Sequence, residues 1–129
     1  MIRIAKVFDG AADGIPYYSP DHPHLDPPVR DDVLAYLDAG APLLVTPELE
    51  PDLVDPARGR VVPVNFRTDG VWIWNDALAY YVAEYGYAPE PEFMAAMEAA
   101  EYECPVPSSE AMERALDKLL AEDDGDAEG

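Results

Sequence analysis

Two histidines have a spacing in this chain that would suit a metal ion. His22 and His24 lie two residues apart in the run DHPHLD, with Asp21 and Asp26 beside them. Imidazole and carboxylate groups can hold zinc or nickel, and an extended His-x-His run points both rings to the same side. The interleaved prolines favour a solvated loop, however, and the sequence has no third histidine and only one cysteine. We therefore predict no cofactor, with His22 and His24 as weak metal candidates.

Nucleophiles and catalytic motifs give no support for an enzyme. Cys104 lies in the run YECPVP without a basic neighbour, and Ser108 and Ser109 precede a periodic segment, as helix caps do. The chain has no glycine-rich phosphate loop, HExxH motif or GxSxG motif. The sequence predicts no catalytic residue and favours a protein that is not an enzyme.

Residues 67–86, RTDGVWIWNDALAYYVAEYG, form the most patterned stretch. Strand alternation places Val71 and Ile73 on one face of a strand and Trp72 and Trp74 on the other. If Val71 and Ile73 meet the helices, the indoles face a loop, another chain or a ligand. In the helix that follows, Tyr80 points nearly opposite to the apolar stripe.

Two interpretations of this stretch remain open. In the first, both tryptophans belong to the core and Asp69 stabilises a turn by bonding to its own backbone. In the second, aromatic anchors bind a partner protein while nearby charges fix the register. The residues of that predicted partner-binding site are Arg67, Asp69, Trp72, Trp74, Tyr80, Glu84, Glu90, Glu92 and Glu98.

The net charge restricts the class of partner. The chain has 27 acidic and 8 basic residues and a formal net charge of −19. Between residues 68 and 113 it has ten acidic residues and no lysine or arginine, counted along the sequence. Such a chain repels nucleic acid and anionic membranes, so we expect neither as a direct partner. A basic protein partner is expected instead.

The sequence therefore favours a small acidic, non-catalytic protein-binding module. Specific forms are an immunity-like or antitoxin-like inhibitor and a mimic of nucleic-acid charge. One alternative is a small-molecule or metal-binding domain that uses the N-terminal loop and the tryptophan face. Another is a self-associating structural protein, so a monomer and a homodimer both remain possible.

The hydrophobic periodicity predicts an α+β fold with a small, mainly antiparallel sheet. Strands are expected near 1–8, 42–46, 60–67 and 70–74, and helices near 27–39, 76–85, 90–101 and 109–121. Residues 1–121 are expected to form one domain, and 122–129 a disordered acidic tail. The single cysteine, with no signal peptide or membrane span in the sequence, predicts a cytoplasmic protein.

Local signals refine this prediction at a few positions. Gly70 is expected to have positive φ in a hairpin turn, and Pro63 to mark a sheet edge or a bulge. Asn75 is the expected cap of the second helix, which Gly86 ends. Residues 9–28 are expected to be a loop, and 47–59 a connection without regular structure.

Three segments also resemble a known group of proteins. The strings DPARGRVVP, RTDGVWIWNDALAYYVAEYGYAPEPEF and YECPVP are similar to those of a family of small uncharacterised actinobacterial proteins. The resemblance covers roughly residues 29–120 and rests on the TDG-W-W–A–YY–G–PE pattern. It implies a small one-domain fold in a bacterial cytosol but supplies no activity. Glu101 stands where the family has a glycine before the Y–P step.

Overall fold

The computed structural model describes residues 2–128, and side chains up to Ala121. Its strands are β1 (Arg3–Ile4), β2 (Gly10–Ala12), β3 (Ile15–Tyr17), β4 (Ala41–Leu44), β5 (Leu49–Pro51), β6 (Arg60–Pro63), β7 (Phe66–Thr68) and β8 (Trp72–Asn75). Its helices are α1 (Pro27–Ala39), α2 (Asp76–Tyr85), α3 (Pro91–Ala99) and α4 (Ser109–Glu128), with a 3₁₀ turn at Pro56–Arg58. The α+β prediction is confirmed.

A four-stranded sheet in the order β1-β8-β7-β4 forms the centre of the fold. β1 runs parallel to β8, and the β8–β7 and β7–β4 pairs are antiparallel. Two further ribbons, β2–β3 and β5–β6, are separate antiparallel pairs. Within the described residues, no helix is both long enough and apolar enough to cross a bilayer.

Helices cover both faces of the central sheet, and this decides where the tryptophans lie. Trp72 and Trp74 pack with residues of α1, α2 and α3, among them Tyr36 and Phe93. On the other face, Ile73 packs against Ala115 and Leu119 of α4, while Val71, just before β8, is exposed. The core interpretation of the two tryptophans is confirmed. The idea of an open indole face is wrong, because the three-helix layer covers it.

The predicted strand over residues 60–67 is divided between two sheets. β6 ends at Pro63, which has no N–H for a continuing ladder, and β7 begins at Phe66. Between them, Asn65 accepts from the Thr46 amide (2.7 Å) and donates to the Asp76 carboxylate (3.1 Å). These side-chain bonds take the place of strand-to-strand backbone bonds where the chain passes from one sheet to the other. Pro63 therefore marks the break between β6 and β7.

Two segments predicted to be irregular contain short strands. Residues 9–28 include the β2–β3 pair, whose turn places Asp13 and Gly14 at φ 53° and 80°. An Asp-Gly pair with positive φ is the preferred chemistry of a two-residue hairpin turn. Residues 47–59 include β5, which pairs with β6. The predicted strand near 1–8 is shorter, since among the described residues 2–8 only Arg3–Ile4 joins the sheet.

The local helix and turn signals are mostly confirmed. Gly70 and Gly86 have φ of 97° and 74°, and Asn75 accepts a capping bond from the Ala77 amide (2.8 Å). Ser108 accepts from the Ala111 amide (3.1 Å) as the cap of α4. The backbone of α4 continues to Glu128, past the predicted end near residue 121, and Gly129 of the predicted tail lies outside the described residues.

The end of α3 places a charged residue in a backbone region that favours glycine. Glu101 and Tyr102 have φ of 54° and 59°, and the Tyr102 amide donates to the Met97 carbonyl (2.9 Å). This left-handed turn closes the helix at Glu101. A side chain in this region costs about 1–2 kcal/mol, against about 0.5–1 kcal/mol for the extra entropy of glycine.

We expect Glu101→Gly to stabilise the protein. Removing the side chain relieves the left-handed backbone, so the free energy of unfolding should rise by about 0.5–1 kcal/mol in urea denaturation. Ala95→Gly, on the exposed side of α3, is the matched control and should lower it by about 1 kcal/mol. An equal decrease in the free energy of unfolding of both variants would contradict the conclusion that the Glu101 side chain strains the left-handed turn.

Candidate functional site

The Thr-Asp-Gly turn of the predicted site is held by its own side chains. One Asp69 oxygen accepts from the amides of Val71 (2.8 Å) and Trp72 (2.7 Å). The Thr68 hydroxyl donates to the Trp72 carbonyl (2.7 Å) and accepts from the Gly70 amide (3.0 Å). Asp69 is therefore the turn residue that one of the two interpretations expected.

The same hairpin holds α1 against the sheet. The Tyr36 hydroxyl donates to the second Asp69 oxygen (2.5 Å), and the Trp74 indole N–H donates to the Leu37 carbonyl (3.1 Å). Burial, followed by the bond to Asp69, raises the pKa of Tyr36 above its ordinary value, so the hydroxyl stays protonated and remains a donor. Both bonds are buried.

Arg67 satisfies the carboxyl end of α1 in a similar way. Its guanidinium donates to the carbonyls of Asp38 (3.2 Å) and Gly40 (3.1 Å) and to the Asp76 carboxylate (2.9 Å). The last carbonyls of a helix have no partners within it, so these bonds complete α1. Gly40 is required here because a Cβ would overlap the Trp74 ring.

These contacts correct part of the predicted partner-binding site. Trp72 and Trp74 are 4% and 0% exposed, and Asp69 is buried with both oxygens bonded. A buried side chain cannot anchor a partner on this surface. Asp69, Trp74 and Arg67 instead join the hairpin to α1, and Trp72 packs on Phe93 of α3.

The stacked rings around Trp72 also correct the alternative small-molecule site. Phe93 stacks on Trp72 with a centroid distance of 4.8 Å, so α3 covers the tryptophan face. The N-terminal loop packs elsewhere. The ring centroid of Tyr18 lies 5.4 Å from that of Tyr81 and 4.1 Å from that of Tyr87. The site predicted between that loop and the tryptophans is not formed.

A buried carboxylate, which sequence reasoning missed, explains the position of Tyr80. Asp52 is 0% exposed, and one of its oxygens accepts from the amides of Val54 and Asp55 (2.8 Å each). Its other oxygen accepts from the hydroxyls of Tyr80 (2.6 Å) and Tyr85 (2.7 Å). Tyr80 points away from the apolar stripe because its partner is on the connection after β5.

The hydrogen bonds keep Asp52 ionised. Burial acts to raise the pKa of Asp52, but the bonds from Tyr80, Tyr85 and the two amides outweigh burial and lower it. Burial and the bond to Asp52 raise the pKa of both tyrosines, so both remain donors. The signal in the sequence was the off-stripe Tyr80 alone, which indicated a missing partner without identifying it.

Three of the four predicted glutamates have partners inside the chain. Glu84 accepts from Arg58 (2.6 Å), which also donates to the Tyr80 hydroxyl (3.2 Å). Glu90 accepts from the Lys6 amide (2.9 Å), and Glu92 forms an ion pair with Arg3. Glu98 is exposed on α3.

His22 is engaged by acceptors at both ring nitrogens. Nδ1 contacts both oxygens of Asp9 (2.9 Å each), and Nε2 lies 2.8 Å from the Ala88 carbonyl oxygen. Both ring nitrogens of His22 therefore already have oxygen partners within the chain. His24 is exposed beside Tyr87, and no group of three potential metal ligands occurs among the described residues.

The Asp9–His22 contact fixes the N-terminal loop on the body of the protein. Burial acts to raise the pKa of Asp9, but the bonds from the Ser19 amide (2.6 Å) and from His22 lower it. An ionised Asp9 therefore joins the loop to the Ala88 backbone through His22. This is an anchoring role.

Cys104 has the environment of an unreactive thiol. It is half-buried, and burial, followed by the nearby Asp69 charge, raises its pKa to about 11. Because the thiolate is the nucleophilic form, a protonated thiol is a poor nucleophile at neutral pH.

An open apolar groove lies between the two short hairpins. The groove has a volume of about 260 Å³, and its lining includes Phe8, Pro16, Glu50, Leu53, Val62 and Tyr81. A second hollow of about 230 Å³ shares Phe8, Pro16 and Leu53 and is also lined by Tyr17 and Val54. The residues of this groove were not part of the predicted site.

Comparison of the chain with family models, with curated proteins and with solved structures found no match. The resemblance to an actinobacterial family therefore stays a prediction, and the arguments for function rest on the geometry above.

We expect Asp52→Asn to lower the free energy of unfolding by about 2 kcal/mol at pH 7, because a buried charge-assisted network is lost. The folded-state pKa of Asp52 is below its unfolded value, so its stabilisation is present above about pH 4 and is lost as pH falls further. The difference in the free energy of unfolding between Asp52→Asn and the parent protein should therefore be smaller at pH 3 than at pH 7. Urea denaturation at both pH values measures this.

Asp55→Asn is the control for Asp52→Asn. Asp55 is exposed and lies 3.7 Å from Arg58, so its loss should cost under about 1 kcal/mol. An Asp52 effect as small as that, or one independent of pH, would contradict the buried network.

We expect His22→Ala to loosen the N-terminal loop, since contacts to Asp9 and Ala88 are lost. Hydrogen exchange at the Ser19 amide should accelerate, and the free energy of unfolding should fall by about 1–2 kcal/mol. His24→Ala is the control and should change neither measurement appreciably, because His24 is exposed. Equal changes in hydrogen exchange and in the free energy of unfolding for the two variants would argue against His22 as the residue that anchors the loop.

Proposed function

We propose that the protein is a small acidic, non-catalytic module that binds a basic surface of a partner protein. Immunity-like or antitoxin-like inhibition and mimicry of nucleic-acid charge are the forms of this function that the charge favours. The observation that carries the proposal is the excess of exposed carboxylates, which the cations of the chain do not balance.

The fold uses several of its few cations for internal pairing. Arg3 pairs with Glu92, Arg58 with Glu84, and Arg67 with Asp76. The whole chain has 8 basic residues against 27 acidic ones. Each pair neutralises one cation and one carboxylate, so the excess of negative charge remains.

Many of the remaining carboxylates lie on exposed helix surfaces and helix ends. They include Asp31, Asp32 and Asp38 on α1, Glu98 on α3, Glu101 and Glu103 after it, and Glu110 and Glu113 on α4. Solubility alone needs a smaller net charge with the signs interspersed. A surface of one sign raises the rate at which an oppositely charged protein associates, by about tenfold or more at low salt.

This proposal predicts salt-sensitive binding of a cationic protein. The immobilised protein should retain a basic protein from the native lysate at low salt, identified by mass spectrometry. The association rate with the purified partner should then fall about tenfold or more at high salt, because ions screen the surface charges. Retained proteins that are neutral or acidic, or a rate that salt leaves unchanged, would refute it.

Two charge variants locate the surface responsible. Glu98→Gln, Glu101→Gln and Glu103→Gln together remove three negative charges at the end of α3. Asp31→Asn, Asp32→Asn and Asp38→Asn remove the same charge from α1. We expect the first set to slow association more, since it lies in the part of the sequence without cations. Equal effects would mean that net charge alone steers the partner.

A further inference from the structure

Exposed apolar side chains surround the groove between the β2–β3 and β5–β6 hairpins. Tyr17, Leu53 and Val54 are 47%, 39% and 40% exposed, and all three line the groove or the adjoining hollow. Such a patch on a strongly charged protein is typical of a site that binds another molecule. The open groove, unlike the tryptophans, can be reached from solvent.

The floor of the groove is rigid. Tyr81 is 1% exposed and accepts a hydrogen bond from the Leu53 amide (3.0 Å), and Val62 is 2% exposed. Phe8 lies edge-on to Tyr81 with a centroid distance of 5.4 Å. Because packed side chains hold the floor, the groove is formed before any ligand arrives, which lowers the entropy lost on binding.

The walls of the groove carry negative charge. Glu50 lines it directly, and the ionised Asp52 is buried between Pro51 and Leu53, which also line it. Residues 48–60 contain four carboxylates and two arginines, of which Arg58 already bonds Glu84. Because the Glu50 carboxylate belongs to the lining, the groove favours an apolar group with a cation beside it.

We infer that this groove binds a segment of the basic partner, which inserts an aliphatic or aromatic side chain and places a flanking lysine or arginine near Glu50. The inference rests on the proposed function for the charge of the occupant. The volume of about 260 Å³ exceeds that of a cavity of about 150 Å³ that holds benzene. One ring or a branched aliphatic side chain therefore fits.

A random-peptide library displayed on phage tests this assignment before the partner protein is identified. Wild-type protein should enrich peptides that have an apolar residue next to lysine or arginine. Leu53→Ser should lower the affinity for a purified, enriched peptide about tenfold, because the lost apolar contact lies in the groove. Leu49→Ser is the matched control, since Leu49 is 43% exposed and is absent from the lining of both hollows.

The outcomes separate the groove from the general function. Enriched basic peptides that bind both variants equally would overturn the groove and leave the proposed function standing. Neutral or acidic apolar peptides that need Leu53 would support the groove and refute the basic partner. Failure to enrich any peptide would count against both. Glu50→Gln should lower the affinity of the protein for the enriched basic peptides. An unchanged affinity would overturn the placement of the cation near Glu50.

A second copy of this chain is the occupant that the test must exclude. The mass in solution, measured over a range of concentrations, should stay that of a monomer, because two chains of this charge repel each other. A dimer that Leu53→Ser dissociates and Leu49→Ser does not would overturn the assignment in favour of self-association.

Discussion

The fold depends on the position of Asp69, a buried carboxylate with hydrogen bonds at both oxygens. One oxygen closes the turn between β7 and β8, and the other receives the Tyr36 hydroxyl of α1. The turn thereby sets the register of the hairpin and the position of the helix that packs on it. Trp74 and Arg67 extend the same junction to the end of α1. The hairpin segment that most resembled a recognition motif therefore makes contacts within the protein. Aromatic and charged side chains can serve either in packing or in binding a partner.

Asp52 has a corresponding role at α2. Through Tyr80 and Tyr85 it holds the connection after β5 against α2, and that connection forms one wall of the open groove. Buried carboxylates are stable only with such donors, because an unpaired buried charge costs several kcal/mol. The acidic residues therefore divide into two kinds. A few are structural and fully bonded, and the excess on the helices is exposed at the surface.

This division changes the picture of recognition that composition alone suggested. The basic character expected of the partner follows from the charge and is unaffected by the burial of Trp72 and Trp74. We propose that the apolar part of the contact is instead made by a groove that the N-terminal hairpin and the connection after β5 form. Both segments have little periodicity, yet Tyr81 and Val62 of the packed core support the groove from below.

The sequence by itself determined the features that depend on near neighbours. These are the cap at Asn75, a serine cap at Ser108 or Ser109, the left-handed turns at Gly70 and Gly86, and the alternation that separates Ile73 from the two tryptophans. Only the tertiary structure decided that both faces of the sheet are covered and that Tyr80 bonds Asp52, 28 residues away. A turn or a cap is decided within a few residues by backbone sterics and local hydrogen bonds. A buried carboxylate and its donors meet only when distant segments pack, and no spacing in the sequence encodes that distance.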